Sequence, residues 1–130
     1  MFFESDYKIL SNEKIAKDVY KMRLEGDTSH ITAPGQFVNI KLDGKFLRRP
    51  ISVCDCEENV ITIIYKVVGE GTEQMSNLKI GKMLNVLTGL GNGYDISKST
   101  KPLLIGGGVG VPPMYFLAKK LIESGQRPCV

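Results

Sequence analysis

Short runs in which apolar and polar residues alternate dominate the chain from Ser5 to about Ile96. Side chains two residues apart lie on the same face of a β-strand, so such a run buries one face and leaves the other polar. Glycine, asparagine, aspartate and proline separate the runs, which is typical of a small antiparallel barrel or sandwich. The clearest alternations are Tyr20, Met22 and Leu24 in one run and Val38, Ile40 and Leu42 in another.

A strand followed by a short helix is predicted in the middle of the chain. The run NVITIIYKVV, residues 59–68, is apolar almost throughout, which predicts a central strand covered on both sides. The next segment opens with glycines and then spaces Met75 and Leu78 as on one side of a helix. Thr72 is a candidate N-cap for this helix, because its hydroxyl can accept a backbone hydrogen bond.

The sequence pattern changes after residue 98. A short apolar run leads into a glycine cluster, Pro112 and Pro113 follow, and apolar residues then recur at helical spacing. Gly125 suits the position just after a helix C-terminus, and the final RPCV begins a possible strand. We therefore predict a β-barrel domain at 1–98 and, at 99–130, the first strand and helix of an α/β domain that is truncated. The apolar helix positions are Met114, Leu117, Ala118 and Leu121.

Composition narrows the possible function classes. With 130 residues, 42% of them hydrophobic, the chain can bury one core but has little room for two complete domains. The net charge of +3 is spread along the chain without a basic run, which argues against nucleic acid as a partner. The sequence has no apolar run as long as a membrane span, and acidic residues near the start argue against a secretory signal. We therefore expect a cytoplasmic protein that binds neither nucleic acid nor membranes.

Cysteine and histidine give no sign of a metal or hydrolytic centre. The three cysteines do not form a disulfide framework or a zinc motif. Cys54 and Cys56 are two residues apart and are predicted to share one face of a strand. His30 is the only histidine and falls in a polar stretch that predicts a loop. Catalysis by a hydrolytic or metal site is therefore not expected.

The motif RRPIS, residues 48–52, is the first candidate anion site. Pro50 cannot donate a ladder hydrogen bond, so it predicts a strand end or an edge, with Arg49 projecting near that end. The planar guanidinium of arginine matches the paired oxygens of a phosphate. The alternative is a solvated pair of arginines beside an edge strand.

Two glycine-rich segments are further candidates. Gly69 and Gly71 lead into the predicted helix and offer backbone N–H groups to an anion. The alternative is an ordinary turn followed by a capped helix. The GGGVGVPP segment lies between a predicted strand and a predicted helix, where glycines let a backbone approach a dinucleotide closely. The glycines in question are Gly106, Gly107, Gly108 and Gly110.

Taken together and in this order, RRPIS, YKVVGEGT, LGNGYD and PLLIGGGVGVPP resemble the ferredoxin reductase family of FAD- and NAD(P)-binding flavoproteins. Within it the resemblance is strongest to the electron transfer subunits of bacterial type B dihydroorotate dehydrogenases, and it covers essentially the whole chain. The family implies a six-stranded antiparallel Greek-key barrel that holds FAD, followed by a doubly wound domain that binds NAD(H).

The resemblance also implies roles for individual residues. Arg49 would contact the FAD pyrophosphate, Pro50 and Ile51 would shape the flavin site, and Ser52 would lie near the isoalloxazine ring. Gly71 and Thr72 would close on the phosphate. The opposite flank of the cofactor would be lined by Ile64, Tyr65 and Lys66.

Two departures from the family pattern affect these expectations. Many relatives have tyrosine where Ile51 stands, so aromatic stacking on the flavin is not expected from that residue. The complete subunit carries a [2Fe-2S] cluster on four cysteines in its C-terminal part, and Cys54, Cys56 and Cys129 do not match that motif. The cluster is therefore expected in the complete subunit and not on these cysteines.

The function implied is electron transfer in pyrimidine biosynthesis. Electrons would pass between NAD(H), FAD and the cluster, to or from an FMN-containing dihydroorotate dehydrogenase catalytic subunit as the partner. A first alternative is the related subunit of an NADH-dependent ferredoxin:NADP or sulfide oxidoreductase. A second alternative is a non-redox barrel that acts as an adaptor, in which the glycine segments are only turns.

Overall fold

The structure is a computed structural model that describes residues 3–45, 47–91, 93–94, 104 and 111–125. Several predictions from the sequence lie outside these residues. They are the domain boundary after residue 98, the strand that precedes the glycine cluster (apart from Leu104), the four glycines at 106–108 and 110, Cys129, and the strand at RPCV.

Six strands form a closed barrel in the order β1-β2-β5-β4-β3-β6, and every pairing is antiparallel. Strand β6 returns to lie beside β3, next to the consecutive strands β3, β4 and β5, which is a Greek key. The predicted six-stranded Greek-key barrel is therefore confirmed. The elements are β1 Phe3–Ala16, β2 Val19–Glu25, β3 Phe37–Ile40, β4 Arg49–Glu57, β5 Val60–Lys66, α1 Glu70–Ser76, β6 Met83–Leu90 and α2 Val111–Glu123.

Alternation along the strands fills the barrel with side chains. The predicted inward faces of β2 and β3 are confirmed, since Met22, Leu24, Val38 and Ile40 are buried. The hairpin turns of β1–β2 and β4–β5 place Asp18 and Asn59 at positive φ, a conformation that short polar side chains tolerate. The largest buried side chains include Tyr7, Tyr65, Phe116, Ile9, Ile61 and Ile63.

The outer face of β5 differs from its prediction. Ile61, Ile63 and Tyr65 are buried, but the residues between them are only half-buried, so this strand is not fully covered on both sides. The apolar side chain of Ile64 on the outer face instead lines a cavity.

A β-bulge makes the prediction for the two cysteines wrong. The pairing of β4 with β5 runs from Val53↔Ile63 to Asp55↔Thr62, which leaves one extra residue, Cys54, on β4. The extra residue shifts the alternation. Cys56 therefore packs against the barrel core, while Cys54 lines a groove on the other side of the strand.

Helix α1 begins earlier than the candidate N-cap Thr72 implied. The N-cap is Gly69, in an extended conformation, and Thr72 is the third residue of the helix. The Thr72 hydroxyl reaches back and accepts hydrogen bonds from the N–H groups of Val68 and Gly69, at 2.9 Å and 3.2 Å. Threonine therefore stabilises this helix start from inside the first turn, as the second half of a capping box does.

Helix α2 agrees with its sequence pattern. Pro112 and Pro113 lie in its first turn, where their missing N–H groups cost nothing. Its inward residues Leu117 and Leu121 are buried with Leu104. Gly125 has a φ of 90° just past the helix end, as predicted. In the part of the chain that the structure describes, neither helix has the length and apolar character needed to cross a membrane.

Burial of Tyr7 predicts a loss of stability at alkaline pH. Desolvation raises the pKa of Tyr7 to about 12, against a usual value near 10. Between these values the unfolded chain has lost the phenolic proton and the folded chain keeps it, so the free energy of unfolding falls as pH rises. We expect Tyr7 to account for a loss of about 2–3 kcal/mol between pH 10 and 12.

Urea unfolding of the wild type and of Tyr7→Phe at pH 8, 10, 11 and 12 measures this contribution. The variant should lose less stability than the wild type over the alkaline range. Burial also raises the pKa of Tyr65, so Tyr65 lowers the free energy of unfolding at alkaline pH in both proteins. Identical pH profiles for the two proteins would show that Tyr7 does not titrate in this way.

Candidate functional site

A cavity opens on the outside of the barrel where β4 and β5 part. Their pairing ends at Val53↔Ile63, beyond which the start of β4 pairs only with β3 and the end of β5 only with β2. The Val53 N–H donates to the Gln36 carbonyl at 3.3 Å. Because neighbouring residues of a strand turn their backbone groups to opposite sides, those of Ser52 and Pro50 face away from β3. Pro50 thus occupies the strand-end position predicted for it, where its missing N–H breaks no bond to β3.

The cavity has a volume of about 390 Å³, within the range of small-molecule sites. It gathers residues from the RRPIS motif, the end of β5 and the start of α1. Every residue lining it except Val68 is a predicted site residue, while their role in binding remains a prediction. The lining residues are Arg49, Pro50, Ile51, Ser52, Ile64, Tyr65, Lys66, Val68 and Thr72.

The two adjacent arginines have different surroundings. Arg48 turns to the outside of β3 and β6, where it donates to the Asn39 carbonyl at 3.3 Å and also to the Asn85 side chain. It also lies 3.7 Å from the Glu4 carboxylate. Arg49 instead lines the cavity, and its Nη1 donates to the Leu47 carbonyl at 3.0 Å. Of the pair, Arg49 is therefore the one available to an anion in the cavity.

Gly71 lies directly beside the side chain of Arg49, which lines the cavity. A Cβ added to Gly71 would lie 2.1 Å from Arg49 Nε and 2.7 Å from its Cζ, so any side chain here would displace the guanidinium. The Thr72 hydroxyl also donates to the Gly69 carbonyl at 3.2 Å and is thus occupied by the turn. A ligand would contact Thr72 through its backbone or its methyl group.

Tyr65 lines the cavity without turning its hydroxyl into it. Its side chain is 2% exposed, and its hydroxyl donates to Asn12 Oδ1 at 2.8 Å. The ring also stacks on Tyr20, with centroids 5.8 Å apart. Tyr65 therefore anchors the cavity wall to the barrel interior, and its neighbours Ile64 and Lys66 present their side chains on the outer face.

Sequence reasoning missed Val68 and Asn12. Val68 is 79% exposed at the rim of the cavity, and a single valine between a strand and a helix carries no pattern. Asn12 lies on β1, far along the chain from every candidate motif. Only the barrel closure brings it beneath α1.

A second groove of about 520 Å³ lies between the barrel and α2 and shares Ile64 with the cavity. Lys119 of α2 donates to the Asp55 carboxylate on β4 at 2.8 Å. This hydrogen bond raises the pKa of Lys119. Phe116 of α2 is buried in the same cluster as the barrel core. Helix α2 is therefore fastened to the strand that also carries the RRPIS motif.

Among the residues that the structure describes, Cys54, Cys56 and His30 do not form a reactive centre. Burial raises the pKa of the Cys54 and Cys56 thiols, which keeps them protonated at neutral pH. His30 stacks on Phe3 in the loop predicted for it, with ring centroids 3.4 Å apart. Among the residues described, no group of three or more histidine, cysteine, aspartate or glutamate side chains could hold a metal ion.

The chain is similar in sequence to electron transfer subunits of dihydroorotate dehydrogenase B (NAD(+)). It is 48% identical to the subunit of Fusobacterium nucleatum over 129 residues, which cover 92% of this chain and 50% of that protein. It is 46% identical to the subunit of Caldanaerobacter subterraneus over 117 residues, which cover 88% of this chain and 46% of that protein. The chain thus spans about half the length of the curated relatives it matches. No family model matches the sequence.

Solved structures with the same fold are electron transfer flavoenzymes. An NADH-dependent reduced ferredoxin-NADP oxidoreductase matches with a TM-score of 0.85 and 36% identity, over 94% of this chain and 46% of that one. Phthalate dioxygenase reductase, described as modular for electron transfer from pyridine nucleotides to [2Fe-2S], matches with a TM-score of 0.79 and 26% identity, over 97% of this chain and 42% of that one. The chain is therefore a homologue of the dihydroorotate dehydrogenase B electron transfer subunits, and it has the barrel fold of the ferredoxin reductase-like flavoproteins.

Proposed function

We propose that this chain forms the FAD-binding part of an electron transfer subunit of a cytoplasmic, NAD-dependent dihydroorotate dehydrogenase. In the complete assembly, NAD(H) and a [2Fe-2S] cluster would take part, and the partner would be an FMN-containing catalytic subunit of pyrimidine biosynthesis. The observation that carries the proposal is the convergence of Arg49, Ser52 and Thr72 on one cavity, with Gly71 directly beside the Arg49 guanidinium. The similarity to dihydroorotate dehydrogenase B subunits supports the same reading.

The shape and chemistry of the cavity suit a dinucleotide flavin. The Arg49 guanidinium offers charged donors to a pyrophosphate, and the absence of a Cβ at Gly71 lets that guanidinium lie close against the start of α1. Ser52 and Ile51 supply a hydroxyl and an apolar surface further along β4. Backbone groups of β4 that face away from β3 are available for hydrogen bonds to a flat polar ring.

The redox chemistry is supplied by the flavin when it is bound. The role of this chain is to bind and orient the cofactor and to set the charge around it. Arg49 and Lys66 place positive charge at the cavity, and a hydrogen bond from the Ser52 hydroxyl would add to it. Both effects favour the more negative, reduced form of the cofactor and would raise its potential.

Titration of the chain with FAD tests the proposal. A complex should show the visible absorbance of bound flavin and quenched flavin fluorescence. FMN, which lacks the pyrophosphate and the adenosine, should bind more weakly than FAD because it offers Arg49 a single phosphate. No retention of FAD at micromolar concentration would contradict the proposal and would favour the non-redox adaptor.

One observation favours a second candidate function. The structural match at 36% identity is an NADH-dependent reduced ferredoxin-NADP oxidoreductase, so the chain could serve a ferredoxin-linked enzyme of that kind. Affinity purification from the source cells would separate the two. Co-purification of an FMN-containing enzyme that reduces the complex with dihydroorotate supports the first function, and a ferredoxin-linked partner supports the second.

Substitution of Gly71 should weaken FAD binding without destabilising the fold. In Gly71→Ala the new methyl group takes the space of the Arg49 guanidinium, so we expect the FAD Kd to rise about tenfold, or about 1.4 kcal/mol. Alanine is the better helix former, so the free energy of unfolding should stay level or rise by up to about 1 kcal/mol.

Gly69→Ala is the matched control for this prediction. Gly69 is extended and a Cβ there would meet no atom within 4 Å, so FAD affinity should stay close to that of the wild type. Fluorescence titration and urea unfolding measure the two quantities. Equal FAD affinity in the two alanine variants would show that FAD binding does not depend on the position of the Arg49 guanidinium beside Gly71.

A further inference from the structure

A single side chain on β1 connects two elements that form the cavity. Asn12 Nδ2 donates to the carbonyls of Met75 and Leu78, at 2.8 Å and 3.2 Å, at the C-terminal end of α1. Its Oδ1 accepts the hydrogen bond from the Tyr65 hydroxyl, at 2.8 Å, on β5. Three of the four hydrogen bonds open to an asparagine amide are thus used, and each goes to an element behind the cavity wall.

Helix α1 depends on such contacts for its position. It has seven residues, well below the length at which a helix is stable by itself in water. The Met75 carbonyl near its C-terminal end accepts the Leu78 N–H at 3.1 Å, and Asn12 adds a second donor from outside the helix. Met75, the residue whose carbonyl Asn12 binds, is also fully buried. The C-terminal end of α1 is therefore fixed to the barrel.

The N-terminal end of the same helix carries Thr72, which lines the cavity, and Gly71, which lies beside Arg49. Gly71 is four residues before Met75, a distance of about 6 Å along a helix axis. A shift at Met75 therefore moves Gly71 relative to Arg49. The two residues are close together, since a Cβ added to Gly71 would lie 2.1 Å from Arg49 Nε. Tyr65, the other partner of Asn12, belongs to the stretch of β5 that forms the facing wall.

We propose that Asn12 is a positioning residue for the cofactor site. Asn12 sets the spacing between α1 and β5. That spacing determines how well the ligand fits between the start of α1 and the β5 side of the cavity. The inference rests on the proposed function, because it assumes that FAD occupies the cavity. Asn12 itself is not among the residues that line the cavity.

Three variants separate the bonds that Asn12 makes. Asn12→Leu removes all three hydrogen bonds at similar side-chain volume, and Asn12→Asp keeps an acceptor for Tyr65 but removes the donors to α1. Tyr65→Phe removes only the bond from β5. We expect the FAD Kd to rise about tenfold in both Asn12 variants, the scale of one or two buried hydrogen bonds, and to rise less in Tyr65→Phe.

Amide hydrogen exchange without any cofactor provides an independent readout. The amides of residues 69–78 should exchange about tenfold faster in Asn12→Leu, while the amides of β2, β3 and β5 keep their protection. Asn77→Ala is the control, because Asn77 caps the same helix end from within the segment, through a bond to the Glu73 carbonyl at 3.1 Å. It should affect only the last turn and leave FAD affinity unchanged.

The outcomes separate this inference from the proposed function. A uniform loss of protection across the barrel, or unchanged exchange in α1, would show that Asn12 does not position the helix and would overturn the inference. Unchanged FAD affinity with faster exchange in α1 would overturn it as well. A wild-type chain that binds no FAD would contradict the proposed function, and the exchange experiment would still decide whether Asn12 holds α1 to the barrel.

Discussion

Arg49→Ala is expected to lower the affinity for FAD by about 1.5–3 kcal/mol, the scale of a charge-assisted hydrogen bond to a phosphate. The Kd should rise between about tenfold and a hundredfold. The guanidinium lines the cavity and is oriented by its hydrogen bond to the Leu47 carbonyl. Arg49→Ala therefore removes a donor group that is already held in position. Fluorescence titration at low and high salt measures the effect, which should shrink as salt screens the charge.

Arg48→Ala is the matched control, one residue away. This substitution removes bonds to Asn39 and Asn85 on the opposite side and should lower the free energy of unfolding while FAD affinity is kept. Arg49→Ala should instead lower FAD affinity and leave the free energy of unfolding nearly unchanged. A similar loss of FAD affinity in both variants would show a general effect of charge, and the role given to Arg49 would be wrong.

Phe116→Ala is expected to lower the free energy of unfolding by about 3–5 kcal/mol, as is usual for removal of a buried phenylalanine. Phe116 is 1% exposed and belongs to the same buried cluster as the barrel core, although it comes from α2. The cavity left by the ring would lie between α2 and the barrel. Urea unfolding measured by circular dichroism gives the loss in stability.

Tyr115→Ala is the control for this prediction. Tyr115 is the preceding residue of the same helix and is 56% exposed, so its replacement should change stability by less than about 1 kcal/mol. If α2 is packed against the barrel as described, the wild type should unfold in one transition that includes both. A stability of Phe116→Ala equal to that of the wild type would show that α2 does not contribute to the core.

Much of the barrel could be predicted from the sequence, because side-chain alternation follows directly from strand geometry. Met22 and Leu24, and likewise Val38 and Ile40, are buried where the alternation put them. The grouping of Arg49, Ser52 and Thr72 around one cavity came from a resemblance between motifs. No local pattern connects residues so far apart along the chain.

The errors have local physical causes. One extra residue in β4 reverses the alternation, so Cys54 and Cys56 face opposite sides, and a bulge of this kind leaves no mark in the sequence. The helix starts at Gly69 because the Thr72 hydroxyl, three residues further along, reaches back and accepts the Gly69 N–H. The contacts of Asn12 with α1 and β5 form only when the barrel closes. Hydrophobic periodicity is a local pattern and cannot predict them.

A closed barrel normally leaves no strand edge unpaired, but the start of β4, residues 49–52, is not paired with β5 and faces a cavity there. Exposed strand edges have unpaired N–H and C=O groups that can pair with strands of other chains, and proteins usually cover such edges. A ligand seated in this gap would shield that edge. If FAD is that ligand, as proposed above, the chain without FAD should self-associate more readily than the chain with FAD bound.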